Sequence, residues 1–416
     1  MSGRGVVRVP GDKSISHRAL MLGALASGDS QISGILESAD IQSTASVLRS
    51  LGVEVPQLSS AFSLKGAGLD GLRAPDKTLD AGNSGTTVRL MSGVVASYSF
   101  PSRFEGDESL SRRPMRRIAE PLSAMGAHFE FENGDGLPMT ILGGTLTGIS
   151  WNTRAASAQT KSAILLAGLT ARVQVIVIEN QKSRDHTERM LTSLGAPIEI
   201  DENTVRLSPV ESIAPLEIAV PGDPSSAAFL VALAVLGQRE LSIPDVCVNP
   251  TRTGFLGTLM EMGASIEFSS KSATAGDRVA EIIAAPSKLR DMIVTAERIP
   301  AMIDELPLLA CVAAAAGVTL DVRGASELRV KESDRISAIV GNLSALGAPV
   351  EERPDGFLVN GARKPLKGRV ITRGDHRIAM AFGVLAQLPG NEIEIDDPGC
   401  VSVSYPRFWD DLKSLR

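Results

Sequence analysis

Lysine, arginine and small polar residues recur at the starts of apolar stretches, where packing alone does not call for them. The starts run Lys13-Ser14-Ile15-Ser16-His17-Arg18, Asn83-Ser84-Gly85-Thr86-Thr87, Ser157-Ala158-Gln159-Thr160-Lys161, Asp304-Glu305 and Asp375-His376-Arg377. Each reads as the first turn of a helix. A helix start presents unpaired N–H groups and a partial positive charge, which suits phosphate and carboxylate groups. Serine, asparagine and aspartate in such places are ordinary caps. Caps do not account for the companion cations Lys13, Arg18, Lys161 and Arg377, nor for Gly82 and Gly85 flanking Asn83. Paired glycines before a helix suit close approach of a ligand to the backbone.

Arginine runs extend the pattern. Ser111-Arg112-Arg113-Pro114-Met115-Arg116-Arg117 sets Arg113 before a proline, which favours extended backbone at a helix entrance. A guanidinium fixed there is placed for a bidentate carboxylate or phosphate. Arg116 and Arg117 read equally well as a solvated helix face. In Ser183-Arg184-Asp185-His186-Thr187-Glu188-Arg189, Asp185 reads as the cap and Arg184 as the cation aimed at a ligand. Arg329-Val330-Lys331-Glu332-Ser333-Asp334-Arg335 has two readings. It is a salt-bridged surface turn capped by Ser333, or it holds Glu332 among cations for proton transfer. Asp304 and Glu305 stand directly before an apolar helix; one is expected to cap it, and the other is a candidate base.

These residues describe an enzyme with two acids and many cations, acting on small polyanions. Neither a P-loop nor a Ser-His-Asp order occurs. The histidines (His17, His128, His186, His376) form no HxH or HExxH group, and Cys247, Cys311 and Cys400 lack metal spacing. No metal and no cofactor are expected. A net charge of −6 argues against non-specific nucleic-acid binding. Scattered cysteines and an N-terminus without a charged-then-apolar segment give a cytoplasmic protein as the expectation. No apolar run reaches the roughly 18 residues of a membrane span.

The positioning elements repeat. Val9-Pro10-Gly11-Asp12-Lys13-Ser14 returns 211 residues later as Val220-Pro221-Gly222-Asp223-Pro224-Ser225. Two similar halves are therefore expected, with a cleft between them. A finer pattern, Leu-x-x-(Leu/Met)-Gly-(Ala/Val), places Gly52, Gly126, Gly195, Gly263 and Gly347 at intervals of 68 to 84 residues. It marks amphipathic helices closed by a left-handed glycine. The segments behind them, such as Val53-Glu54-Val55 and Ile198-Glu199-Ile200, alternate like half-buried strands. Apolar runs at 15–26, 86–96, 162–171, 227–236, 306–316 and 378–388 read as buried helices, since they are apolar nearly all round. The fold class is α/β. It has two similar domains, each of three repeated βα units with buried parallel helices surrounded by sheets. The first domain spans 10–220. The second takes 1–9 plus 221–416, with hinges at the two Val-Pro-Gly-Asp segments.

Nine segments, in order from residue 10 to residue 409, carry a resemblance: PGDKSISHRA, GNSGTTVRL, SRRPM, ASAQTKSA, SRDHTERML, IDELPLL, RVKESDRI, GDHRIAMAF and SVSYPRFW. The chain resembles the 5-enolpyruvylshikimate-3-phosphate (EPSP) synthase family. The resemblance implies an inside-out α/β barrel in each domain and transfer of the enolpyruvyl group of phosphoenolpyruvate to shikimate 3-phosphate, in chorismate biosynthesis. It implies these two anions as the partners, and a monomer. By motif match, Lys13, Ser14 and Arg18 hold shikimate 3-phosphate, and Lys13 also reaches the phosphoenolpyruvate. Ser157, Ala158, Gln159 and Arg184 contact the shikimate phosphate and ring. Gly85 and Arg113 line the phosphoenolpyruvate side, Arg335 and Arg377 clamp its charges, and His376 assists. Asp304 deprotonates the target hydroxyl, and Glu332, beside Lys331, handles the methylene proton.

Two positions depart from many members. Val403 stands where a C-terminal lysine is common, and Ala158 where some have a second serine. Both changes resemble the branch less sensitive to glyphosate, whereas Gly85 keeps the pocket open to that inhibitor. Two rivals remain. A UDP-N-acetylglucosamine enolpyruvyl transferase needs a loop cysteine near residues 106–113, where none occurs. An anion-binding protein without catalysis explains the cations, but not Asp304 and Glu332 among them.

Overall fold

The computed structural model describes residues 5–362 and 364–415, and no helix in them is long and apolar enough to cross a membrane. The chain forms two compact units. One comprises Gly11–Val220 with Ala273–Asp277; the other comprises Met1–Pro10, Pro221–Ser272 and Arg278–Arg416. They are called the first and second unit below.

The first unit contains helices α1 (Lys13–Leu25), α2 (Ala39–Ser50), α3 (Gly85–Val95), the single turn α4 (Glu108–Ser111), α5 (Arg116–Met125), α6 (Ala158–Ala171) and α7 (His186–Ser193). The second contains α8 (Pro224–Leu236), α9 (Gly254–Glu261), α10 (Leu306–Ala316), α11 (Arg335–Ala345), α12 (His376–Leu385) and α13 (Phe408–Ser414). The six runs that are apolar all round became α1, α3, α6, α8, α10 and α12, and nearly every residue in them is buried.

Among the described residues there are six small sheets, four of them four-stranded, and one plan recurs. Strand Leu79–Asp80 runs parallel to Pro101–Glu105, which pairs antiparallel with Met139–Leu142, itself paired with His128–Phe131. Ile149–Thr153, Val175–Glu179, Thr204–Leu207 and Ile198–Asp201 repeat the scheme, as do Met292–Val294, Thr319–Val322, Gly356–Asn360 and Val350–Arg353. Parallel neighbours need a crossover, and the buried helices α3, α6, α10 and α12 supply it. Two sheets take their first strand from far along the chain. Glu217–Ala219 pairs parallel with Asp29–Ser33, and Gly5–Val6 with Leu241–Cys247.

The second helix of each of the first five repeats ends as its sequence implies. Gly52, Gly126, Gly195, Gly263 and Gly347 all have positive φ, between 77° and 121°. A side chain there meets the left-handed penalty that glycine avoids. One expectation fails. Val53–Val55 is not a strand, although Val53 and Val55 are buried and Glu54 is exposed. Arg49 explains why: its Nε donates to the Val55 carbonyl at 2.8 Å and its Nη2 to the Pro56 carbonyl at 2.6 Å. Pro56 has no N–H to offer a sheet. The segment keeps its alternation without a ladder.

Candidate active site

Three buried helices of the first unit bring their N-termini together. Asp12 caps α1 by accepting the Ile15 N–H at 2.8 Å, which places Lys13 and Ser14 in the first turn. Ser84 caps α3, accepting from Thr87 N at 3.2 Å, and Ser157 caps α6, accepting from Thr160 N at 3.2 Å. Side chains join the three starts. Gln159 of α6 accepts from Arg89 Nη1 at 2.7 Å and donates to Thr86 Oγ1 of α3 at 3.1 Å. Arg18 of α1 donates through Nη2 to Ser162 of α6 at 2.8 Å and through Nε to Thr187 of α7 at 2.7 Å. His17 of α1 bonds through Nδ1 to Thr44 at 2.7 Å, and Thr44 to Thr87 of α3 at 2.7 Å.

Lys13 forms a salt bridge with Asp40, a largely buried acid in the first turn of α2. An acid in a first turn complements the helix dipole, so in the sequence Asp40 gave no sign of pairing with Lys13. Arg113 is buried and donates to Asn83 Oδ1 at 3.0 Å and to Ser109 at 3.4 Å. Gly85 starts α3 beside it. A Cβ on Gly85 would stand 3.3 Å from Arg89 Nη1 and 3.4 Å from Arg113 Nη1. The glycine leaves room next to two guanidinium groups. Arg184 lies two residues before α7, half-buried. The α7 entrance is held by Asp277, whose carboxylate meets His186 Nδ1 at 2.7 Å and Arg189 Nε at 3.4 Å. Lys13, Ser14, Arg18, Gly85, Arg113, Ser157, Ala158, Gln159 and Arg184 thus all belong to the first unit.

The remaining expected residues belong to the second unit, around Arg335. Its guanidinium meets Asp375 at 2.9 Å, Glu332 at 2.6 Å and Asp304 at 3.2 Å, and only 1% of its side chain is exposed. Burial works against the charge of Arg335. The three carboxylates outweigh it, Asp375 most, and hold the group above its ordinary range. Lys331 Nζ stands 3.9 Å from Asp304. Asp375 caps α12, accepting the Arg377 N–H at 2.9 Å, which places Arg377 and the buried His376 in the first turn. Two candidate acids and two cations, Lys331 and Arg335, therefore share one cluster, and Asp375 ties the backbone of Arg377 to it.

Three sequence expectations need correction, and a fourth, left between two readings, is decided. Lys161 turns inward, 1% exposed, onto Glu179 at 2.7 Å and Glu188 at 2.6 Å, so it is a buried ion pair and not a ligand-facing cation. Asp334, not Ser333, caps α11, accepting from Ser337 N at 3.1 Å; Ser333 donates to Asp375 at 2.9 Å. Neither Asp304 nor Glu305 caps α10 with its side chain, because a 3₁₀ turn over Ile303–Glu305 leads into that helix. Arg116 is exposed, with its guanidinium 5.6 Å from the Phe131 ring centroid, which agrees with the solvated-face reading.

A family model described as EPSP synthase (3-phosphoshikimate 1-carboxyvinyltransferase) matches residues 2–412. The chain belongs to the EPSP synthase family. Relatives called 3-phosphoshikimate 1-carboxyvinyltransferase are 46% identical in Sulfurihydrogenibium sp. (strain YO3AOP1) and in Syntrophomonas wolfei. Each match covers 99% of this chain and 97% of the relative. A solved EPSP synthase from Acinetobacter baumannii superposes with a TM-score of 0.85 at 37% identity, over 99% of this chain and 95% of that one. The mixed α/β architecture of this chain is that of EPSP synthase structures.

Proposed function

We propose that the two clusters, one in each unit, divide the EPSP synthase reaction between them. The enzyme transfers the enolpyruvyl group of phosphoenolpyruvate to shikimate 3-phosphate, a step of aromatic biosynthesis. Each unit is an inside-out barrel of three βα repeats, hinged at the two Val-Pro-Gly-Asp segments. The protein works as a cytoplasmic monomer.

Shikimate 3-phosphate binds to Lys13, Ser14 and Arg18, with Ser157, Ala158, Gln159 and Arg184 on its phosphate and ring. Phosphoenolpyruvate sits against Lys13, Gly85 and Arg113, with Lys331, Arg335 and Arg377 neutralising its charge. Two polyanions meet only where their charge is balanced and their orientation fixed beforehand. Asp304 takes the proton of the 5-hydroxyl as its oxygen bonds to C2 of phosphoenolpyruvate, and Glu332 protonates C3. In the resulting tetrahedral adduct, Glu332 recovers a C3 proton while the C2–O bond to phosphate breaks. Phosphate leaves and the enol ether remains. A single acid–base group of this kind is worth about 10²–10⁴-fold.

The convergence of Asp304 and Glu332 on the buried Arg335, with Lys331 beside Asp304, carries the reading. A protein that only binds anions gains nothing from acids at that place, where they repel the ligand. Phosphate release on mixing the two substrates tests it. Release only when both are present supports the assignment. Release with UDP-N-acetylglucosamine instead of shikimate 3-phosphate, or no release, overturns it.

A further inference from the structure

Lys161 sits one turn into α6, behind Ser157 and Gln159, and its ammonium is clamped between two acids from other elements. Glu179 ends a strand and Glu188 lies in α7, and both are buried with it. Glu179 has a second task. Its other oxygen accepts the Ser183 N–H at 3.1 Å and also the Ser183 hydroxyl. Arg184 is the next residue. One carboxylate therefore links the lysine of α6 to the residue that precedes Arg184.

A second tie runs beside the first. Ser162 meets Thr187 at 2.7 Å, and the Arg18 guanidinium bonds to both. Two successive residues of α6 thus grip two successive residues of α7. The serine–threonine tie is small and neutral. The lysine tie is costly, because one ammonium serves two buried carboxylates. Burial raises the Glu188 acid against the pull of Lys161. Apolar side chains of similar volume would fill this place at no such cost. What charge adds is direction: an ammonium and two carboxylates fix a spacing that packed methyl groups leave adjustable.

We propose that Lys161 is a positioning residue for the phosphate of shikimate 3-phosphate, setting the distance between the α6 start, with Ser157 and Gln159, and Arg184 at the α7 entrance. The inference rests on the assignment of Ser157, Gln159 and Arg184 to that substrate made above. A doubly charged phosphate held from two elements is sensitive to their separation, and a misplacement of about 1 Å can cost about 10²-fold.

Steady-state kinetics of Lys161→Met, Glu179→Gln and Arg184→Ala decide it, each variant assayed well below its own melting midpoint. Lys161→Met is expected to raise the KM for shikimate 3-phosphate about tenfold or more, with the KM for phosphoenolpyruvate within about twofold of wild type. Glu179→Gln is expected to give the same asymmetry at about threefold or more, since a neutral amide cannot serve Lys161 and Ser183 with full charge. A purely structural lysine lowers the melting midpoint and moves neither KM. If Arg184→Ala weakens shikimate 3-phosphate while Lys161→Met leaves its KM unchanged, or raises both KM values equally, the positioning role falls and the site assignment stands. If Arg184→Ala has no effect on that KM, the site assignment falls first and takes this inference with it. Should Lys161→Met fail to fold, Glu179→Gln decides alone, and an unchanged KM for shikimate 3-phosphate overturns the proposal.

Discussion

Arg335 Nε lies 2.9 Å from Asp375 Oδ2, and both side chains are buried. The pair joins α11 to α12, and it fixes the plane of a guanidinium that also meets Glu332 and Asp304. Arg335 is therefore held from behind by the protein itself. Ser333 reinforces the arrangement by donating to the same Asp375 oxygen at 2.9 Å. A cation fixed this way need not reorganise when charge moves in front of it.

Asp375→Asn should loosen that hold. Removing one charge of a buried pair costs about 3–5 kcal/mol when the other is left unpaired. Here Glu332 and Asp304 remain, so a loss near about 3 kcal/mol is expected, together with a fall in turnover as Arg335 reorients. Urea unfolding at constant m-value reads the first and kcat the second. Native stability with native kcat would leave Asp375 as a helix cap and nothing more.

Glu332→Gln separates folding from chemistry. The amide keeps the shape and one acceptor for Arg335 Nη2, now 2.6 Å from the carboxylate. The melting midpoint should stay near wild type while kcat falls about 10²–10⁴-fold, the range lost with a general acid–base group. Near-native phosphate release by a well-folded variant would take Glu332 out of the reaction.

How much of this was legible beforehand depends on the kind of signal. The buried helices were, because runs such as 162–171 and 227–236 are apolar nearly all round and only a protein interior tolerates that. Glycines such as Gly195 were, because a positive φ leaves little choice of residue. Lys161 was misread. The sequence places it among cations, and its partners Glu179 and Glu188 lie 18 and 27 residues on, brought back only by the turn from strand to α7. Asp40 was passed over for the same reason, since its partnership with Lys13 spans two helices. Local propensity reports caps and periods; it is silent on which charges meet across elements.

Arg113→Ala should affect one substrate far more than the other. Arg113 is buried beside Asn83 and Gly85 in the first unit. A charge-assisted hydrogen bond is worth about 1.5–3 kcal/mol, which is about 10- to 150-fold in affinity. The KM for phosphoenolpyruvate should rise within that range and that for shikimate 3-phosphate by less than about threefold. Equal rises would move Arg113 to a different role.

Gly85→Ala should crowd the same place. The added methyl would stand 3.3 Å from Arg89 Nη1, 3.4 Å from Arg113 Nη1 and 3.6 Å from Leu110 Cδ1. The two closest atoms are the ends of flexible side chains, so the helix should fold and the guanidinium groups should give way. A several-fold rise in the KM for phosphoenolpyruvate and weaker inhibition by glyphosate are expected, with a melting midpoint near wild type. Unaltered values of both would show that the methyl finds room without moving Arg113.

His17 should make stability depend on pH. Burial, and then the nearby charges of Lys13 and Arg18, hold its pKa well below the ordinary 6.5. The folded ring is therefore neutral at pH values where the unfolded one takes up a proton. Below about pH 6.5 the unfolded chain binds more protons at this site, so stability is present above that pH and drains away as the pH falls toward the folded pKa. The loss approaches about 1.4 kcal/mol per pH unit over that window. His17→Asn keeps a donor for Thr44 and cannot titrate. Urea unfolding at pH 7.5, 6.0 and 5.0 should show the free-energy gap between wild type and variant shrinking as the solution becomes more acidic. A gap that stays constant would mean the ring takes up its proton as readily inside the protein as outside, which its enclosure between Lys13, Arg18 and Thr44 does not permit.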